Sequence, residues 1–137
     1  MNNTNQSASW RTKIKILVVE DEQYMRELYT EILAEQGYSV ESADNGEKAY
    51  EMITQGKFDL ILLDLVMPTL SGIDVVRKLR DKYPANVGFP KIVVLTNLGE
   101  LSTIAEVVSQ GVRGYIIKSD VTPDKFLSEV KSYLDEK

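Results

Sequence analysis

Five short strand-like runs, most of them continuously aliphatic and each followed by a longer stretch with helical spacing, constrain this chain more than any other feature. The runs are Ile14–Val19, Tyr38–Glu41, Leu60–Leu63, Lys91–Leu95 and Tyr115–Ile117. Strands without polar alternation are those buried on both faces. Between the runs, Met25, Leu28, Tyr29, Ile32 and Leu33 form one apolar helical stripe that ends at Gly37. A second helix passes through Ala49, Met52 and Ile53, with Asp44 and Glu47 as its expected N-terminal cap and Gly56 as its stop. The third occupies Ile73–Lys82 with Val76, Leu79 and Tyr83 on one side, after a breaker-rich loop from Val66 to Gly72. The fourth carries Leu101, Ile104, Ala105 and Val108 up to Gly111, and the last opens at Thr122-Pro123 and carries Phe126, Leu127, Val130 and Leu134. Helix-length crossovers are what parallel neighbours require, and their right-handedness leaves few compact solutions. The expected fold is therefore α/β: an open, doubly wound, five-stranded parallel sheet with five helices on its two faces.

Composition narrows the chemistry. With 137 residues, 43% of them apolar, one domain with a sizeable core is expected. The Asn/Ser/Gln/Thr-rich residues 1–11 read as a disordered polar tail, and 12–137 as the domain. There is no histidine and no cysteine. That excludes disulfides, ordinary zinc and iron–sulfur sites, Cys–His or Ser–His couples, and a phosphohistidine on this chain. With 21 acidic against 16 basic side chains, direct binding to nucleic acid or an anionic membrane is disfavoured. No stretch of about 20 apolar residues is present, so the expectation is a cytoplasmic protein without a membrane span.

Polar residues fall where the buried runs stop. Glu20 and Asp21 follow the first run, Asp64 the third, Thr96 the fourth and Lys118 the fifth. In an open parallel sheet those ends share one edge, and ligands bind in the crevice outside it. Each pair of carboxylates roughly 4 Å apart costs about 4 kcal/mol at an effective dielectric near 20. One ammonium cannot neutralise three such groups, so a divalent cation is the natural counterion. All-oxygen ligands select Mg²⁺, or Mn²⁺, over softer metals. A carboxylate beside that cation, with a hydroxyl from Thr96 and a charge from Lys118 for the remaining oxygens, suits phosphoryl transfer onto the carboxylate. Asp64, alone at the end of the middle run, is the candidate nucleophile. Taken singly, each of these residues reads as a solvated turn, a cap or a surface charge; the joint arrangement is what specifies a site.

The stretches Ile16-Leu17-Val18-Val19-Glu20-Asp21-Glu22, Leu62-Leu63-Asp64-Leu65-Val66-Met67-Pro68 with Ser71-Gly72, Val94-Leu95-Thr96, and Gly114-Tyr115-Ile116-Ile117-Lys118 together resemble the receiver domain of two-component response regulators. Single-domain chemotaxis regulators are among that family. The resemblance runs over essentially Lys13–Leu134 and implies a flavodoxin-like strand order 2-1-3-4-5. It further implies that Asp64 is the phosphoacceptor and that Asp21 ligates Mg²⁺ directly. Glu20 would hold the ion through water, the Val66 carbonyl would be a further ligand, and Thr96 and Lys118 would bind phosphoryl oxygens. Tyr115 matches the family's switch aromatic, which turns inward when Thr96 moves toward the phosphoryl group. The implied partners are a sensor histidine kinase or histidine phosphotransfer protein as donor. Downstream, the resemblance implies a protein target or a homodimer formed through the fourth helix, fifth strand and fifth helix. Self-catalysed phosphorylation and slow self-dephosphorylation are the implied activities.

Three positions depart from the family pattern: Glu20 where Asp is commoner, Asn97 in place of a small residue, and Ser119 in place of a proline that often follows a cis bond. A cis bond without proline costs about 2.5–4 kcal/mol, so the Lys118–Ser119 bond is either trans or strained. The positions two beyond Asp64 and Thr96 are the apolar Val66 and Leu98, which cannot orient a hydrolytic water; a long-lived phosphorylated form is expected. The chain ends soon after Leu134, so a stand-alone receiver signalling by protein–protein contact is expected. Other readings are a receiver-like adaptor that works without phosphorylation and a haloacid-dehalogenase-like phosphatase. The latter wants a second Asp where Val66 stands. A flavodoxin-like FMN carrier wants a Ser/Thr/Gly-rich phosphate loop where three acids follow the first strand.

Overall fold

The computed structural model describes residues 13–84, 87–97 and 101–136. The expected tail, residues 1–11, and Leu98 lie outside the described residues. The five runs form β1 (Lys15–Val19), β2 (Ser39–Ala43), β3 (Leu60–Asp64), β4 (Ile92–Thr96) and β5 (Gly114–Ile117). They pair in parallel in the order β2-β1-β3-β4-β5. The helices are α1 (Gln23–Glu35), α2 (Gly46–Gln55), α3 (Gly72–Lys82), α4 (Leu101–Ser109) and α5 (Pro123–Asp135). The expected topology is thus the observed one.

Period-two alternation along the central strands divides the core between the two faces. Leu17, Val19, Ile61, Leu63, Ile92 and Val94 point to the side covered by α2, α3 and α4, against Ile53, Val75, Leu79 and Val107. Ile16, Val18, Leu60, Leu62, Val93 and Leu95 point to the side covered by α1 and α5, against Tyr29, Leu33, Phe126 and Val130. Continuous aliphatic runs are explained by this: both faces of β1, β3 and β4 are buried.

Two local expectations are corrected. The second strand runs Ser39–Ala43 rather than Tyr38–Glu41, because β2 is an edge strand paired only with β1 and buries only Ala43 fully. Its polar Glu41 and Ser42 are tolerated where solvent reaches. The cap of α2 is Asn45, not Asp44: Asn45 is extended and its side chain accepts from the Lys48 amide at 2.8 Å. Asp44 instead accepts from the Asn45 side-chain amide, while Glu47 stays in the first turn, where the helix dipole favours it. Thr122 and Pro123 open α5 as expected, with the Thr122 hydroxyl accepting from the Lys125 amide.

Gly72 fixes the loop after β3. A Cβ there would sit on the carbonyl oxygen of Asp64 and against Leu65, so only glycine lets α3 start this close to the strand end. Its amide donates to the Leu65 carbonyl at 2.9 Å, and the Ser71–Asp74 capping box starts the helix immediately.

Candidate functional site

The carboxyl edge of the sheet gathers the residues singled out above. Glu20 leaves β1 with its amide bonded to the Ala43 carbonyl and is 1% exposed, although it is charged. Its Oε1 accepts from Lys118 Nζ at 2.6 Å and its Oε2 from the Glu22 amide at 3.2 Å. Asp21 is exposed on the rim. Asp64 is the last residue of β3 and 4% exposed; its Oδ1 accepts from the Val66 amide at 3.1 Å and its Oδ2 from Lys118 Nζ at 3.3 Å. Thr96 ends β4, is buried, and its hydroxyl donates to the Asn97 carbonyl at 3.2 Å. Lys118 opens a 3-10 turn, Lys118–Asp120, directly after β5. The described chain contains no cis peptide bond, so Lys118–Ser119 is trans and the absence of proline imposes no cis strain.

The electrostatics are unbalanced. Carboxylate oxygens of Glu20, Asp21 and Asp64 all lie within 4.8 Å of one another. Burial, the charge of Glu20 and a hydrogen bond with Glu20 push the Asp64 carboxyl up to about 7, against the lowering effects of Lys118 and the Val66 amide. Burial alone would lower the Lys118 ammonium, but its bond to Glu20 and the charge of Asp64 outweigh that and leave it raised. The one ammonium therefore pairs with two of the three clustered acids, and a second cation would relieve what remains. The donor set contains only oxygens, which fits a hard divalent ion such as Mg²⁺. An open cleft of about 450 Å³ gives access; Asp21, Asp64, Val66, Asn97 and Lys118 line it.

Val66 lies at the cleft with its side chain exposed, and its amide is already committed to Asp64. Tyr115 stands on edge strand β5, 40% exposed, with its carbonyl accepting from the Tyr133 hydroxyl. In the β4–β5 register Tyr115 pairs with Val94 and Ile117 with Thr96, so the aromatic is on the strand next to the buried hydroxyl.

Two contributors had no motif to announce them. Arg26 donates through Nη1 to the Glu20 carbonyl at 2.9 Å and the Asp21 carbonyl at 3.2 Å, tying down the turn that presents both acids. A basic residue in the first turn of the helix after an acidic triplet was the available signal. The second is Tyr29, read as core from its helical spacing; it is core, but it also lines a small cavity together with Lys118.

The profile of the response regulator receiver domain matches residues 16–131. The chain belongs to the response regulator receiver family. Receiver domains in general exchange phosphoryl groups with histidine kinases or phosphotransfer proteins and use Mg²⁺. The transcriptional regulatory protein CusR of Escherichia coli K12 is 40% identical over 105 residues, which are 77% of this chain and 44% of CusR. This receiver chain thus spans about half the length of the curated relatives it matches. Among solved structures, the CheY-like receiver domain protein of Methanospirillum hungatei is 27% identical at a TM-score of 0.80, covering 90% of this chain and 95% of that one. The chemotaxis protein CheY4 of Vibrio cholerae is 26% identical at a TM-score of 0.78, covering 89% and 99%. Among the described residues no helix is long and apolar enough to cross a membrane.

Proposed function

We propose that this receiver takes a phosphoryl group from the phosphohistidine of a kinase or phosphotransfer protein onto Asp64. The observation that carries the reading is the meeting of three carboxylates with one ammonium at the end of the central strand. Glu20, Asp21, Asp64 and the Val66 carbonyl would hold Mg²⁺, which supplies charge neutralisation and a ligand position for one phosphoryl oxygen. Asp64 attacks as the carboxylate: its oxygen bonds to phosphorus as the phosphorus–nitrogen bond of the donor breaks, and the electron pair stays on the donor's ring nitrogen. The Lys118 ammonium and Thr96 hydroxyl stabilise charge on the other phosphoryl oxygens. The Val66 amide, 3.1 Å from Oδ1, orients the carboxylate for attack by Oδ2.

Phosphorylation adds charge beside Thr96, and Tyr115 on the adjacent strand is the group that responds. Output then passes through the α4–β5–α5 face to a protein target or a second copy. We place this receiver in the cytoplasm and assign its own face no direct contact with nucleic acid or membrane. The test is incubation with Mg²⁺ and a small-molecule phosphodonor, read by intact mass. One added phosphoryl group is expected in the wild type and none in Asp64→Ala; modification that survives in Asp64→Ala rejects the reading. No modification of the wild type would favour the phosphorylation-independent adaptor. The exposed, apolar Val66 side chain at the cleft cannot position a hydrolytic water, so the phosphorylated form is long-lived. Loss of the added mass within seconds would contradict that.

A further inference from the structure

Tyr29 is a core residue with a polar atom that its surroundings do not satisfy. It is 3% exposed, stacks on Phe126 at 4.8 Å between ring centroids, and its hydroxyl has no hydrogen-bond partner among the described residues. Buried tyrosines ordinarily find one, because a stranded hydroxyl destabilises the fold where phenylalanine would pack equally well. A group of this kind calls for an explanation in terms of what it does.

The surroundings supply a candidate. Alternation along β1 and β3 puts Glu20 and Asp64 on the same face as Val18 and Leu62, which is the face Tyr29 packs against. Tyr29 and Lys118 both line a small cavity between α1 and α5, of about 60 Å³, together with Met25, Val121 and Thr122. That is room for one or two water molecules, each having roughly 30 Å³ in the liquid. An ammonium has three protons. Glu20 and Asp64 take two of those on Lys118, and among the described residues nothing accepts the third. Burial pushes the Tyr29 hydroxyl up to about 12, and among the charges around it Lys118 acts most strongly.

We propose that the Tyr29 hydroxyl is a positioning group for Lys118, receiving the hydrogen bond of the third ammonium proton through a water molecule in the small cavity that both residues line. The role rests on the phosphoacceptor reading above and matters most when a metal ion claims the oxygens of Glu20 and Asp64. Those carboxylates then hold the ammonium less firmly, and the tyrosine keeps it aimed at the phosphoryl oxygens instead of letting it swing to solvent.

Tyr29→Phe removes one oxygen and leaves the packing against Phe126 intact. Two measurements test it. In a ¹H–¹⁵N spectrum, the Lys118 ammonium, assigned by its disappearance in Lys118→Ala, should exchange with solvent several-fold faster in Tyr29→Phe than in the wild type, with the melting temperature unchanged or raised. This needs no phosphorylation and stands even if Asp64 accepts nothing. With a small-molecule phosphodonor and Mg²⁺, Tyr29→Phe should be phosphorylated about fivefold more slowly, the rate equivalent of a hydrogen bond of about 1 kcal/mol. In the Lys118→Ala background the same substitution should change nothing further. An unchanged ammonium exchange rate overturns the positioning role, as does a rate loss of equal size with and without Lys118. A wild type that takes no phosphoryl group overturns the phosphoacceptor reading, while the exchange measurement still decides the tyrosine.

Discussion

At the amino edge of the sheet, Lys15 Nζ pairs with Glu41 at 2.9 Å, and the Lys15 amide donates to Asp59 at 2.8 Å. Lys91 Nζ donates to the Tyr133 carbonyl at 2.8 Å and the Glu136 carbonyl at 2.5 Å, where the α5 dipole favours a cation. A groove of about 510 Å³ opens there, lined by Phe58, Tyr83 and Phe89 with Lys15, Lys57 and Asp59, so its charges are mixed. At the carboxyl edge of the same strands, three carboxylates cluster within 4.8 Å of one another; the two buried ones, Glu20 and Asp64, share one ammonium. The same scaffold thus carries one edge whose charges are matched and exposed and another whose charges are unmatched and buried. The matched edge is what folding alone would select. The unmatched edge is destabilising until something positive arrives, and that is how a binding site differs from a surface.

Removing the surplus charge breaks this contrast most directly. Burial and Glu20 hold the Asp64 carboxyl near 7, well above its value in an unfolded chain. The folded state therefore keeps a proton that the unfolded state has lost over the window from about 4 to about 7, and Asp64 makes the metal-free protein less stable as pH rises through it. Each unit of such a shift is worth about 1.4 kcal/mol. Asp64→Asn should accordingly raise the metal-free melting temperature at pH 7.5 by a few degrees, corresponding to at least about 1 kcal/mol. The advantage should shrink toward zero as pH falls to 4. Mg²⁺ should stabilise the wild type and should do so far less in the variant. Thermal melts across pH, with and without Mg²⁺, check all three; a variant less stable than the wild type at pH 7.5 would show that Asp64 is adequately compensated by Lys118 alone.

This asymmetry was half visible in the sequence. A buried strand that switches abruptly from Leu63 to Asp64, or from Val19 to Glu20, announces a strand end and a polar cluster together, because burial makes the apolar run unbroken up to the edge. The five-unit order and the parallel, doubly wound sheet follow from the same runs, whereas the strand order 2-1-3-4-5 is implied by the family resemblance. Solvated elements were harder to read: β2 could carry Ser42 without penalty, so polarity did not mark its end, and Asp44 and Asn45 were chemically equivalent caps until backbone geometry chose Asn45. Contacts between distant segments left no local trace. Nothing near Lys118 in the chain says that its ammonium lies closer to Glu20, at 2.6 Å, than to Asp64, at 3.3 Å. Nor does the apolar stripe of α1 distinguish a tyrosine that merely packs from one whose hydroxyl is left over.

The amino edge supplies the smallest effect and the control. Lys15 and Glu41 sit across the β1–β2 pair with side chains 38% and 44% exposed. An ion pair that open gains little from attraction, loses side-chain freedom and is screened by salt, so such pairs contribute about 0–1 kcal/mol. Lys15→Ala should lower stability by less than about 1 kcal/mol, part of it from losing the ammonium that sits 5.2 Å from the centroid of the Phe58 ring. Raising the salt concentration should diminish the difference between variant and wild type further. Neither Mg²⁺ stabilisation nor phosphorylation should change, since the substitution lies at the opposite edge from the carboxylates. Denaturant melts at low and high salt, paired with a Mg²⁺ titration, make the comparison. A loss well above 1 kcal/mol, or an altered Mg²⁺ response, would mean that the two edges are coupled through β1, and that the matched edge helps to set the strain stored in the unmatched one.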